Sequence, residues 1–137
     1  VELRPVRAGS ELLELRVLGE GDEKLANLVF SDIQDRRGRN ILLVRDQNTF
    51  DEMLRKKRLI SIIHVFLIRR YKSVSVHYVS PTEDNRYQAQ KMKTQGIFSE
   101  VIDEGGQIIA AEVNAVRVAA LAGPGDALVQ FIAKREE

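Results

Sequence analysis

The chain has 137 residues, enough to bury one hydrophobic core, with 44% apolar and 30% charged residues. It contains no cysteine, which excludes disulfides, a thiolate nucleophile and a cysteine-based zinc site. Net charge is only +1, but residues 36–72 hold eleven Lys/Arg against three Asp/Glu while both flanks are net acidic. That basic centre suits a compact anionic ligand better than a long nucleic-acid track.

In chain order, Leu13, Leu15 and Val17 alternate with Glu14 and Arg16, which predicts a half-buried strand. A turn at Gly19–Asp22 leads to a strand over Leu25–Phe30, and a second turn at Asp35–Asn40 leads to the apolar run Ile41–Val44. Such short connections join antiparallel neighbours, so residues 1–46 read as a β-meander.

The period then changes. Thr49 and Glu52 have capping-box spacing. Leu59, Ile62, Ile63, Phe66 and Leu67 form the stripe of a core helix, closed by Arg69, Arg70 and Lys72. Ser73–Val79 alternates as a strand, and a strand reached through a helix is expected to run parallel to Ile41–Val44. These two elements fill residues 47–79.

Ser80, Pro81 and Glu83 read as cap, first-turn proline and capping-box acid of a helix that ends at Gly96. A hairpin follows, Ile97–Ile102 and Gln107–Val113 about the turn Asp103–Gly106, completing residues 80–113. Residues 114–137 read as a helical tail, with a final amphipathic helix over Asp126–Lys134.

The expected whole, 1–137, is one α+β domain: a mostly antiparallel sheet with one central parallel pair, helices on both faces and a helical tail. A parallel step is where ligands settle in open sheets. Here it lies beside the cations Arg55, Lys56, Lys57 and Arg58, just before a helix start, an arrangement suited to phosphates.

Over residues 12–113 this arrangement resembles the GCN5-related N-acetyltransferase (GNAT) fold. Asn85 precedes Gly96 by eleven residues, followed by Ile97 and Phe98, like that family's Asn-to-Gly-Phe helix. The resemblance implies acyl-CoA held between two splayed central strands. Its phosphates would lie by Lys56, Lys57, Arg58, Leu59, Ile60 and Ser61, its pantetheine arm along Val44 and Arg45, and its acyl end toward Val79, Asn85 and Met92. Two departures stand out. Met92 occupies the place of the family's tyrosine acid, and a thioether has no proton to give. The phosphate loop Arg55–Ile60 lacks glycine.

The runs "IQDRRGRNILLVRDQNTFDEMLRKKRL", "VHYVSPTEDNRYQAQKMK" and "GIFSEVIDEGGQIIAAEVN" resemble the C-terminal GNAT-like domain of the long two-domain bacterial isocitrate lyases. That resemblance implies a non-catalytic sensor of acetyl-CoA or propionyl-CoA that regulates a catalytic barrel of the same chain, through domain pairing or a homo-oligomer, in the glyoxylate bypass. No metal is expected, since the two histidines lack convergent carboxylates. Neither nucleic acid nor a membrane is expected as partner. The longest apolar run, Leu59–Ile68, is too short to span a bilayer. No signal peptide opens the chain, and a cytoplasmic location is expected. The start at Val1 without methionine fits a fragment.

Two other readings stand beside it. One is an active N-acetyltransferase using Tyr87 or Tyr78 as acid. The other takes "RYQAQKMKTQGIFSEVIDEGGQIIAAEV" as the recognition helix and wing of a winged-helix nucleic-acid-binding module.

Overall fold

A computed structural model describes residues 2–50 and 59–121. Strands β1 (Glu2–Pro5), β2 (Leu13–Leu18), β3 (Lys24–Gln34) and β4 (Asn40–Thr49) form the meander. Helix α1 (Leu59–Tyr71) leads to β5 (Ser75–Val79), and helix α2 (Glu83–Thr94) leads to β6 (Phe98–Ile102). Strand β7 (Ile108–Val113) and helix α3 (Ala115–Leu121) follow. The seven strands lie in the order β1-β2-β3-β4-β5-β7-β6. Only β4 and β5 run parallel. The fold is α+β, as the pattern predicts.

Both crossovers, β4 to β5 through α1 and β5 to β6 through α2, step the same way along the sheet, so a right-handed turn puts both helices on one face. The contacts agree. His64 of α1 meets Tyr78 of β5, Tyr71 of α1 sets its ring edge-on to Phe30 of β3, and Ser61 of α1 bonds Gln95 at the end of α2. Val118 of α3 joins the same buried cluster. All three described helices therefore share a face. The final helix expected over Asp126–Lys134 lies outside the described residues, as do Glu52, Met53 and Leu54. No described helix is long and apolar enough to cross a membrane.

Helix α1 is buried further round than its stripe implies. Ile60, Ser61, His64 and Val65 are buried, while Ile62 and Phe66 are only partly so. The sheet covers one side of α1, and α2 and α3 close its flank, so polar side chains there need partners. Ser61 donates to Gln95 Oε1 at 2.8 Å. His64 Nδ1 lies 2.7 Å from the Ile60 carbonyl, which only accepts. The proton therefore sits on Nδ1, and Nε2 accepts from the Tyr78 hydroxyl at 2.8 Å. Burial drives His64 down to about 4 and Tyr78 far up.

Helix α2 ends on a paired exit. Gly96 N–H donates to Lys93 O and Ile97 N–H to Met92 O, each at 3.0 Å, with Gly96 at φ +83°. This is a Schellman turn, and Met92 and Ile97 pack beneath it in the core. The segment before α2 is β5 rather than a helix, so the winged-helix arrangement is not formed.

The buried imidazole sets a pH window. Unfolded, it takes a proton near 6.5; folded, only near 4. The unfolded chain thus binds more protons in between, and stability falls as pH drops through that window, by up to about 3 kcal/mol. Urea unfolding at a series of pH values checks this, and His64→Gln is expected to remove that part of the slope.

Candidate functional site

The site begins with two strands that part. Strands β4 and β5 share four register pairs, Ile41↔Ser75 to Val44↔Tyr78. Beyond them β4 follows β3 to Thr49↔Ala26, and Phe50 N–H donates to Leu25 O at 2.8 Å. Strand β5 instead follows β7 to Val79↔Ile108, and Ser80 N–H donates to Gln107 O at 2.7 Å. Each strand keeps its outer partner, and among the described residues no strand pairs with the inner side of β4 past Val44.

A β-bulge decides which side chains face the gap. Phe30 pairs with Val44 but Val29 pairs with Asp46, which leaves Arg45 as the extra residue on β4. Side-chain parity flips there. Val44, opposite Phe30, faces the helices; so does Gln47, opposite the fully buried Leu28. Thr49, opposite Ala26, faces the same way. Asn48 points to the other face, donating to Asn27 and Asp46 at 3.1 Å each. Asn27 in turn donates to Glu14 at 2.7 Å. Burial alone would raise Glu14, but Asn27, Arg16 and Lys24 together hold its carboxyl below the usual range.

The gap is a cleft of ≈ 290 Å³. Gln47, Asn48, Thr49 and Phe50 of the β4 end form one wall, Ile60 of α1 lies at its base, and Asp84, Asn85, Tyr87, Gln88 and Lys91 of α2 face them. Phe50 and Tyr87 are both largely exposed at the rim.

The sequence candidates fall into four groups. Ile60 and Asn85 line the cleft. Val44 and Arg45 sit where β4 leaves β5, Val44 buried and Arg45 exposed in the bulge, with Val79 half-buried at the end of β5. Leu59, Ser61 and Met92 are buried, Met92 completely, and none of them lines the cleft. Lys56, Lys57 and Arg58 lie outside the described residues.

Asn85 already has structural work. Its backbone N–H donates to Thr82 Oγ1 at 3.1 Å, and its Oδ1 accepts from Thr82 N–H at 3.0 Å. The capping box is Thr82–Asn85, not Ser80–Glu83. Ser80 has φ +48°, unlike the extended backbone of an N-cap. The amide Nδ2 of Asn85 is left to face outward. Thr49, expected to cap a helix, is the last residue of β4.

The tyrosines also separate. Tyr78 is buried and gives its proton to His64, whereas Tyr87 lines the cleft at 64% exposure. Sequence reasoning missed Gln47, Gln88 and Lys91. The polar run Arg45–Asn48 reads as a turn unless the bulge is known. Among the described residues no group of three or more His, Asp or Glu could hold a metal.

No protein-family model matches this chain. It is 57% identical over 136 residues to a Mycobacterium tuberculosis protein named as one of two parts of an isocitrate lyase, a match over 99% of this chain and 34% of that protein. Isocitrate lyase 2 of the same species is also 57% identical over 136 residues, 99% of this chain but 18% of the relative. The chain thus spans a minor part of the length of the curated relatives it matches. Among solved structures, the KacTA–DNA complex aligns with TM-score 0.58 at 10% identity, over 82% of this chain and 74% of that one. A GNAT-family acetyltransferase of Staphylococcus aureus gives 0.51 at 9% identity, over 74% and 68%. Tetrahymena GCN5 gives 0.50 at 12% identity, over 76% and 69%. At such identities the likeness is one of fold, and the fold is GNAT-like.

Replacing Asn85 by Ala removes one half of the capping box, and urea unfolding is expected to show a loss of about 1 kcal/mol. Asn85→Glu, which also suits that helix position, is expected to recover most of it.

Proposed function

We propose, for a chain that is a GNAT-like homologue of one segment of isocitrate lyases, that the cleft takes an acyl-CoA and that its occupancy regulates the lyase. The parting of β4 and β5 after Val44 and Tyr78 carries this reading. An extended, amide-bearing pantetheine arm suits the unpartnered side of β4 and can add there as a strand does, at Val44 and Arg45. A cleft of ≈ 290 Å³ is at the small end for an organic ligand, enough for the arm and acyl end while the nucleotide stays outside.

The nucleotide phosphates are assigned to Lys56, Lys57 and Arg58 with the opening residues of α1, Leu59, Ile60 and Ser61. Cations and free helix-start amides both favour anions there. The acyl end is assigned toward Val79 and Asn85. Acetyl-CoA and propionyl-CoA are the expected ligands. Met92, sealed in the core, contributes by what it lacks: at the place of a proton donor it has no proton. With Tyr78 also committed, to His64, the reading is a sensor rather than a catalyst. A ligand biases a partner only through different affinity for two states. The two states invoked are pairings of this domain with the catalytic barrel or with a second copy.

Tyr87 at the cleft favours a second reading, an N-acetyltransferase with that phenol as acid.

Calorimetric titration of the chain with acetyl-CoA and propionyl-CoA is expected to show saturable binding. Absence of heat at millimolar ligand removes the proposal. Thiol release from acetyl-CoA with amine acceptors is expected to stay at background. Steady release that Tyr87→Phe abolishes would establish the transferase instead.

A further inference from the structure

We propose that Gln47 is the side chain by which the cleft recognises an amide N–H of its ligand, a claim that rests on the acyl-CoA reading above and names the contact within it. The starting observation is an unmet acceptor. Gln47 Oε1 is buried with no hydrogen-bond partner, one of two such side-chain atoms among the described residues, the other being Ser73 Oγ. Buried acceptors are nearly always paired, so an orphan beside a cleft marks a place where a donor is missing.

Gln47 is held in that position by backbone, not by its own contacts. The bulge at Arg45 turns it to the helix-facing side, and pairing with Leu28 fixes it there. Its neighbour Asn48 spends its amide protons on Asn27 and Asp46 across the sheet, so that donor is turned away. The Asn85 oxygen facing it across the cleft is likewise committed, to Thr82 N–H. The last torsion of glutamine is soft, so the amide can swing toward an arriving donor without changing its other rotamers.

The chemistry selects the part of the ligand. A neutral carboxamide oxygen takes an N–H or O–H and repels phosphate oxygens. The pantetheine arm carries two amide N–H groups, whereas the nucleotide end meets proteins chiefly through anionic oxygens. Gln47 therefore reads the arm, while affinity for the nucleotide comes from elsewhere.

The test compares two ligands on two proteins. Calorimetry measures acetyl-CoA and adenosine 3′,5′-bisphosphate, which lacks the arm, on the chain and on Gln47→Leu. Acetyl-CoA is expected to bind the variant about tenfold more weakly, since its N–H then meets no acceptor, while the bisphosphate is unchanged. The ligand-free variant is expected to melt at the same temperature or higher, because the orphan oxygen is gone. Equal acetyl-CoA affinity in both proteins overturns the role of Gln47 and leaves the acyl-CoA reading intact. A parallel loss for both ligands, with a lower melting temperature, means the substitution damaged the fold and also overturns it. If the unaltered chain binds no acetyl-CoA, the acyl-CoA reading itself falls and takes this inference with it.

Discussion

The constraint behind the rest of this structure is that a strand has only two sides on which to pair. Strand β4 is committed to β3 over nine register pairs and β5 to β7 over five, while the two share four. Past those four, each strand follows its longer-held neighbour, and the sheet divides down its middle. The cleft is the residue of that competition. It needs no special loop and no cavity in the core, only unequal strand lengths and a short β5 that turns out at Ser80.

Packing then makes the divide usable. All three described helices press on one face, so the open seam is roofed by α2 and floored by the first turn of α1. The hydrogen bond from Ser61 to Gln95 ties the start of one helix to the exit of the other. The Schellman turn at Gly96 lets α2 stop abruptly and hand the chain to the edge strand β6. The bulge at Arg45 supplies what regular alternation cannot: two polar side chains, Gln47 and Thr49, on the side that upstream holds Leu42 and Val44.

Much of this is legible in sequence, for reasons that differ by element. Ile41–Val44 stands out because a strand covered on both faces is continuously apolar. Its continuation to Thr49 is hidden, because the bulge breaks the period of two that identifies strands. Strand β1 is hidden too, since Glu2–Pro5 offers a single apolar residue, Leu3. The helix stripe through Ile62 and Phe66 points to the right element with the wrong rotation, because α1 is covered on more than one side and tolerates Ser61 and His64 inside. The spacing from Asn85 to Gly96 locates α2 well. Its cap is misplaced by sequence because Pro81 argues for Ser80, while the local backbone puts Thr82 in the extended conformation a cap needs. Spacing places Asn85 on the cleft; it cannot disclose that its carbonyl oxygen is spent on the helix cap.

The buried contact between His64 and Tyr78 has a consequence for how this sequence can drift. The hydroxyl has the imidazole for its acceptor, and the imidazole is neutral in one tautomer because both nitrogens are spoken for. Exchange either ring alone for an aliphatic residue and the survivor keeps a polar atom that nothing in the interior answers. Positions 64 and 78 therefore behave as a single locus: they change together, as a swap of one matched couple for another, or they stay as they are.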